Sequence, residues 1–165
     1  MTTISHVVDV KASKQQVWQI IADLGGVVNF HPYVTHSYYT SQKKEGNGAS
    51  RVCELGPSTE VEETAIEWTT GKSFTLGIAF RKGMKPPVSN LQAVMKTEEI
   101  AGKTRVTLEM HYHPKYGPIG WMMNQMMIKP QYQKVVPAIL AGLKHYAETG
   151  EKADLKTLQS LPAHA

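Results

Sequence analysis

The sequence predicts one α+β domain with a mainly antiparallel sheet. Two observations carry this. A strand and two short helical segments precede a run of six strands separated by turn signals, and one long helical stretch closes the chain. Strands that follow one another directly pair as hairpins, whereas a parallel sheet needs a crossover helix between partners.

Ile4, His6, Val8 and Val10 fall on one face of residues 3–12, the two-residue period of a strand. Ser13 and Gln16 then form a Ser-x-x-Gln capping box ahead of Val17, Trp18, Ile20, Ile21 and Leu24, so a helix starts there. Gly25-Gly26 end it, and a second short turn runs from Val27 to His31 before Pro32. Up to about residue 113 the turn signals are Glu45-Gly46-Asn47-Gly48, Gly56-Pro57-Ser58, Thr70-Gly71, Pro86-Pro87 and Ala101-Gly102. Gly117-Pro118 opens the closing helix, which Pro130 and Pro137 are expected to interrupt and Gly150 to end. Residues 1–150 read as the domain and residues 151–165 as a loose C-terminal tail.

The 165 residues are 41% hydrophobic with mean hydropathy −0.31, enough apolar material for a packed core. Cys53 has no partner for an internal disulfide. Residues 1–12 lack the continuous apolar run of a signal peptide, and no run of about 18 apolar residues could span a bilayer. The expected location is the cytoplasm. A net charge of +4 raises a nucleic-acid partner, but Lys and Arg are scattered. Their densest group, Arg81, Lys82 and Lys85, lacks interleaved aromatic residues for stacking. The expectation is solvated surface and no nucleic acid.

Hairpin arithmetic gives the register. With Ala101-Gly102 as a two-residue turn, Met95 faces Leu108, Ala93 faces Met110 and Leu91 faces Tyr112, while Glu98 meets Arg105 on the other side. With Thr70-Gly71 as a turn, Ala65 faces Leu76, Glu63 faces Ile78 and Val61 faces Phe80. Since Phe74, Leu76, Ile78 and Phe80 form the buried set, Glu63 is carried inward with them. A three-residue loop at Gly56-Pro57-Ser58 pairs Cys53 with Val61 and places Arg51 opposite Glu63. The same scheme puts Ile66 and Trp68 on the outer face.

Val8-x-Val10-x-Ala12 with Val17-Trp18 and Asp23, His31-Pro32, Gly48-x-x-Arg51, Val61-x-Glu63, Pro87-x-x-Asn90, Thr104-Arg105-Val106 and Gly142-Leu143 together resemble one family. It is the polyketide cyclase/dehydratase-like branch of the START/Bet v 1-like (SRPBCC) superfamily, matched over about residues 3–148. The resemblance implies a helix-grip fold: a seven-stranded curved antiparallel sheet around a long C-terminal helix, two short helices after the first strand, and a cavity between sheet and helix. It implies chemistry poorly, because similar proteins include lipid carriers, receptors and aromatase/cyclases.

On this reading the protein binds a small hydrophobic molecule for carriage or sensing, without a cofactor. The alternative is a cyclase, aromatase or dehydratase using Glu63 or His6 as acid or base. Arg51 and Glu63 are either a polar handle for the ligand or a structural ion pair, and the two roles are compatible. Phe74, Ile78, Phe80, Met95, Met110 and Tyr112 are expected to touch the ligand. Met122 and Met126 are expected to do so from a methionine lid spanning 122–127, closing the mouth together with the 82–88 loop. His111 and His113 share the outer face with Glu109, with no third ligand placed, so no metal is expected. Oligomeric state is open, and stable membrane insertion is not expected.

Overall fold

Alternating apolar residues build seven strands in a computed structural model that describes residues 1–160. They are β1 (Thr2–Val10), β2 (His36–Tyr39), β3 (Ser50–Glu54), β4 (Glu60–Thr69), β5 (Ser73–Lys82), β6 (Val88–Ile100) and β7 (Lys103–Pro114). All pair antiparallel in one sheet of order β1-β7-β6-β5-β4-β3-β2. Strands consecutive in sequence, β1 and β2, thus form opposite edges. The chain joins them through α1 (Lys14–Ala22) and a 3₁₀ helix (Leu24–Asn29). The closing helical stretch comprises α2 (Gly117–Met123), a π-helical turn (Asn124–Ile128) and α3 (Lys129–Thr149), and it lies in the curve of the sheet. Helix α4 (Leu155–Ser160) follows.

The capping box forms as expected: Gln16 N–H donates to Ser13 Oγ at 3.2 Å and Ser13 N–H to Gln16 Oε1 at 3.1 Å. Buried Val17, Trp18 and Ile21 of α1 then join a core with Val106, Leu140 and Leu143.

The β3–β4 and β6–β7 hairpins pair as the arithmetic requires, with Arg51 opposite Glu63, Met95 opposite Leu108 and Glu98 opposite Arg105. Two details differ. The β6–β7 ladder skips the expected Leu91–Tyr112 pair at an irregularity between Ser89 and Gln92, where Asn90 takes φ 52°, and resumes at Ser89–His113. The β4–β5 connection spans Thr70-Gly71-Lys72, closed by Lys72 N–H donating to the Thr69 carbonyl at 2.9 Å. A shift of register between Ala65 and Glu67 compensates for the longer turn, so Glu63 still faces Ile78. That bulge leaves Ile66 exposed but returns Trp68 to the inner face, correcting its expected outward position. There Trp68 stacks on Phe74 with ring centroids 5.1 Å apart and meets Trp18 edge-on at 5.7 Å.

The expected interruption at Pro130 is also corrected. Lys129 N–H reaches back five residues to the Asn124 carbonyl, and the widened turn admits Pro130 at the start of α3 without ending the helix. Pro137 sits inside α3. Nor are residues 151–160 a loose tail. Ala153 is buried, its N–H donates to the Asn29 carbonyl at 2.9 Å, and Asp154 Oδ1 accepts from Thr157 N–H at the start of α4. Residues 161–165 of the expected tail lie outside the described residues.

Helix α3 approaches the 3₁₀ segment closely at Gly142, where an added Cβ would lie 2.1 Å from the Phe30 carbonyl oxygen. Gly142→Ala is expected to lower unfolding free energy by about 1–3 kcal/mol in urea titrations. Gly77→Ala, whose Cβ would meet nothing nearer than 3.6 Å, should be tolerated.

Candidate functional site

The inner sheet face and α3 leave between them a cavity of about 600 Å³, within the range that holds a drug-sized molecule. The two-residue period sets its walls. Phe74, Leu76, Ile78 and Phe80 point in from β5, Ala93 and Met95 from β6, and Leu108 and Met110 from β7. Tyr132, Val135 and Ile139 close it from α3. The β3–β4 turn at Leu55, Gly56 and Thr59 forms part of the rim, as do Thr35, Gln131 and Leu155.

Among the described lining residues only Arg51 and Glu63 are charged. Their side chains are 8% and 14% exposed, and they bond to each other: Nε donates to Glu63 Oε2 at 2.6 Å and Nη2 lies 2.5 Å from the same oxygen. Arg51 Nη1 also donates to the carbonyl of Leu24, the first residue of the 3₁₀ helix. Burial works against the guanidinium charge, but the Glu63 carboxylate outweighs it and holds Arg51 more firmly protonated than usual. Beside the pair, Cys53 Sγ lies 3.6 Å from Glu63 Oε2, and burial first, then Glu63, pushes the thiol up to about 12. Such a thiol is inert as a nucleophile.

His31 completes this polar end. It follows the 3₁₀ helix, lines the cavity, and accepts from Tyr33 N–H at Nδ1 over 3.3 Å. Burial lowers its pKa to about 4, with Glu63 raising and Arg51 lowering it by smaller amounts. The ring is therefore neutral near pH 7, and with Nδ1 accepting, the proton resides on Nε2, which meets no acceptor among the described residues. Tyr132, raised to about 12 mainly by burial, adds a hydroxyl with no protein partner among the described residues.

Seven expected site residues line the cavity: Arg51, Glu63, Phe74, Ile78, Phe80, Met95 and Met110. Four do not. Tyr112 is fully buried beneath it, donating to Asn124 Oδ1 at 2.8 Å. Met122 and Met126 are exposed on the outer side of the helix, because the buried stripe there is Gly120, Asn124 and Ile128. His6 is exposed at the β1 edge and does not line the cavity. The 82–88 loop likewise contributes no lining residue. Sequence reasoning gave His31, in the loop before Pro32, a capping or solvent-contact role where the structure makes it a lining residue, and it missed Cys53 as a polar neighbour of Glu63, and Tyr132. The His31-Pro32 dipeptide directly after a helix stop was the available signal, since its role could be read only once the 3₁₀ segment was placed beside Arg51.

A second depression, about 950 Å³, lies over the start of α1, but it is open and lined by surface groups such as Lys11, Lys14 and Lys103. Among the described residues, no three His, Cys, Asp or Glu side chains converge as metal ligands. No described helix is long and apolar enough to cross a membrane.

A family model described as polyketide cyclase/dehydrase and lipid transport matches residues 1–148. No curated protein sequence matches significantly. Among solved structures, a protein from Thermobifida fusca is similar with TM-score 0.70 and 20% identity over 89% of this chain and 93% of its own. Ara h 8.0201 gives 0.63 and 13% over 86% and 98%. DynU16, from the dynemicin biosynthetic locus, gives 0.67 and 18% over 92% of this chain and half of its own. At these identities the likeness shows the fold.

Two outcomes follow from the polar end. Glu63→Ala strands a buried cation and should cost about 3–5 kcal/mol, whereas Arg51→Met with Glu63→Leu should cost less than the sum of the single changes. Calorimetric double-mutant analysis checks this, and additive losses of a few tenths would contradict burial of the pair. As pH falls from about 6.5 towards 4, the unfolded chain protonates His31 before the folded one does. Its contribution is thus complete above about pH 6.5 and disappears on acidification, by up to about 3 kcal/mol. Urea titrations across that window should show a shallower slope for His31→Gln.

Proposed function

This chain belongs to the polyketide cyclase/dehydrase and lipid transport family, and from that premise we propose that its cavity carries or senses a small hydrophobic molecule. The family supports hydrophobic-ligand binding or cyclase chemistry, and the cavity's polar end bears on the choice. Its two charged groups are committed to each other and to the Leu24 carbonyl, so neither is free as an acid or base. That commitment is the observation that favours carriage. What remains for a ligand is an apolar lining, the His31 Nε2–H and the Tyr132 hydroxyl. The ligand is then an apolar body with one hydrogen-bond-accepting end, such as a carbonyl or hydroxyl, directed at His31.

The enzymatic reading keeps one specific support, which is different from the residues first considered. A histidine held neutral by burial, beside an ion pair, is a competent general base. On that reading His31 takes the role first assigned to His6, and Glu63 with Arg51 positions the substrate.

Binding of an apolar fluorescent probe such as N-phenyl-1-naphthylamine should be stoichiometric and reduced on the order of tenfold by Ile78→Trp, which fills the cavity without adding charge. Displacement by a medium-chain ketone should weaken about fivefold in His31→Phe, the worth of one hydrogen bond, while displacement by the parent alkane stays unchanged. A bound ketone or polyketone recovered unaltered after long incubation supports carriage. Turnover that falls by about 10²–10⁴ in His31→Phe or Glu63→Gln would establish the enzyme instead.

A further inference from the structure

The segment that fails as a lid turns an apolar surface outward. Gly120, Asn124 and Ile128 form its buried stripe, and the opposite stripe carries Ile119, Met122 and Met126, of which Met126 is 73% exposed. Trp121, 62% exposed, and Met127 flank that stripe. A surface helix normally turns polar residues outward, so an outward face of this composition marks a contact surface. The neighbouring loop extends it. Lys115 N–H donates to the Pro87 carbonyl at 2.9 Å, which holds the 83–87 loop beside the start of α2, and Met84 at the tip of that loop is 90% exposed.

Charge selects the partner. No Asp or Glu occurs in residues 83–97 or 110–147, which include the loop and the helical segment, and Glu60 of β4, beside the loop, is paired with Lys82 at 3.5 Å. Lys85, Lys115 and Lys129 frame the apolar stripe and make no ion pair among the described residues. Exposed Trp, Tyr and Met side chains ringed by uncompensated lysines suit the headgroup zone of an anionic bilayer, where aromatic rings settle and phosphates attract cations.

We propose that α2, the π-helical turn and the 83–87 loop form a peripheral docking surface for anionic lipid bilayers. The surface adjoins the rim of the cavity. A Cβ on Gly83 would lie 2.8 Å from the Ser58 carbonyl and from Thr59 Oγ1, and Thr59 lines the cavity, as does Gln131 one turn beyond Met127. Docking therefore places the rim against the membrane surface, with the chain lying on the bilayer and no segment crossing it.

Co-sedimentation with vesicles of phosphatidylcholine, alone and mixed with phosphatidylglycerol, tests the proposal. The protein should partition onto the mixed vesicles and be released by salt, and brominated lipid should quench fluorescence that Trp121→Phe removes. M122S/M126S should weaken partitioning on the order of tenfold. Lys85→Glu and Lys129→Glu should each weaken it about fivefold on mixed vesicles only. Met122, Met126 and Lys85 are exposed and Lys129 is half-buried, and N-phenyl-1-naphthylamine binding in the same samples confirms an intact cavity, so failure to dock and failure of the cavity reading are separate results. Three outcomes would overturn the proposal: no partitioning on either vesicle, partitioning indifferent to lipid charge, or a concentration-dependent dimer that M122S/M126S disperses, which would assign the patch to a second copy of this chain.

Discussion

Arg51 fixes three parts of the chain at one buried point. Its guanidinium joins β3, which carries it, to Glu63 of β4 and to the Leu24 carbonyl of the 3₁₀ helix. The first of these contacts lies along a hairpin and needs only correct register, but the second reaches across the domain. It places the segment ending in His31 over the open side of the sheet. The guanidinium donates to that carbonyl while the carboxylate offsets its charge, so the buried cation is paired on both sides. Arg51 and Glu63 act on His31 in opposite senses, so burial decides that ring's protonation. One ion pair thus positions the loop, neutralises its own field and leaves the polar end of the cavity with uncharged groups, His31 beside it and Tyr132 on α3.

The inner face of the helical stretch shows a comparable division. Asn124 is fully buried in the π-helical turn, accepting from Tyr112 Oη–H and donating through Nδ2 to Thr2 Oγ1 at 3.3 Å. These bonds tie the turn to β7 and β1 and satisfy an amide that would otherwise be expensive to enclose. They also fix which side of α2 looks inward. The methionines are turned out by that constraint, not by any preference of their own.

Much of the sheet was legible in the sequence because side-chain alternation and turn length constrain each other. Arg51 and Glu63 were placed opposite each other from a Gly-Pro-Ser loop and two apolar strands. The β4–β5 hairpin was placed correctly for an incomplete reason. The turn is one residue longer than Thr70-Gly71 suggests, and the bulge beside Ile66 takes the extra residue back. Without that bulge Trp68 had no explanation. With it, Trp68 completes an aromatic cluster on Trp18 and Phe74. The site was less legible. Methionine spacing does not distinguish an inward from an outward stripe when the helix is apolar all round, so Met122 and Met126 were misplaced. His6 had the right parity but sits on an edge strand, where parity does not ensure cover. His31 lies in a non-periodic segment whose burial depends on a residue 20 positions away in sequence, Arg51, and on α3.

The pairing of β1 with β7 has a kinetic consequence. Ile4 sits beside Met110 and Val10 beside Thr104, so the sheet's first strand waits for nearly the last part of the sheet to exist. Chain entropy must be spent on that closure before its contacts reward it, which places folding among the slower, high-contact-order cases. During synthesis the β3–β6 meander can form early, presenting Phe74, Leu76 and Met95 without their cover from α3. Until β1 finds β7 and α3 docks, there is a greasy half-sheet and no binding compartment. The nascent chain therefore passes through a window of aggregation risk, and a chaperone that shields that concave face would act on the same residues that later line the cavity.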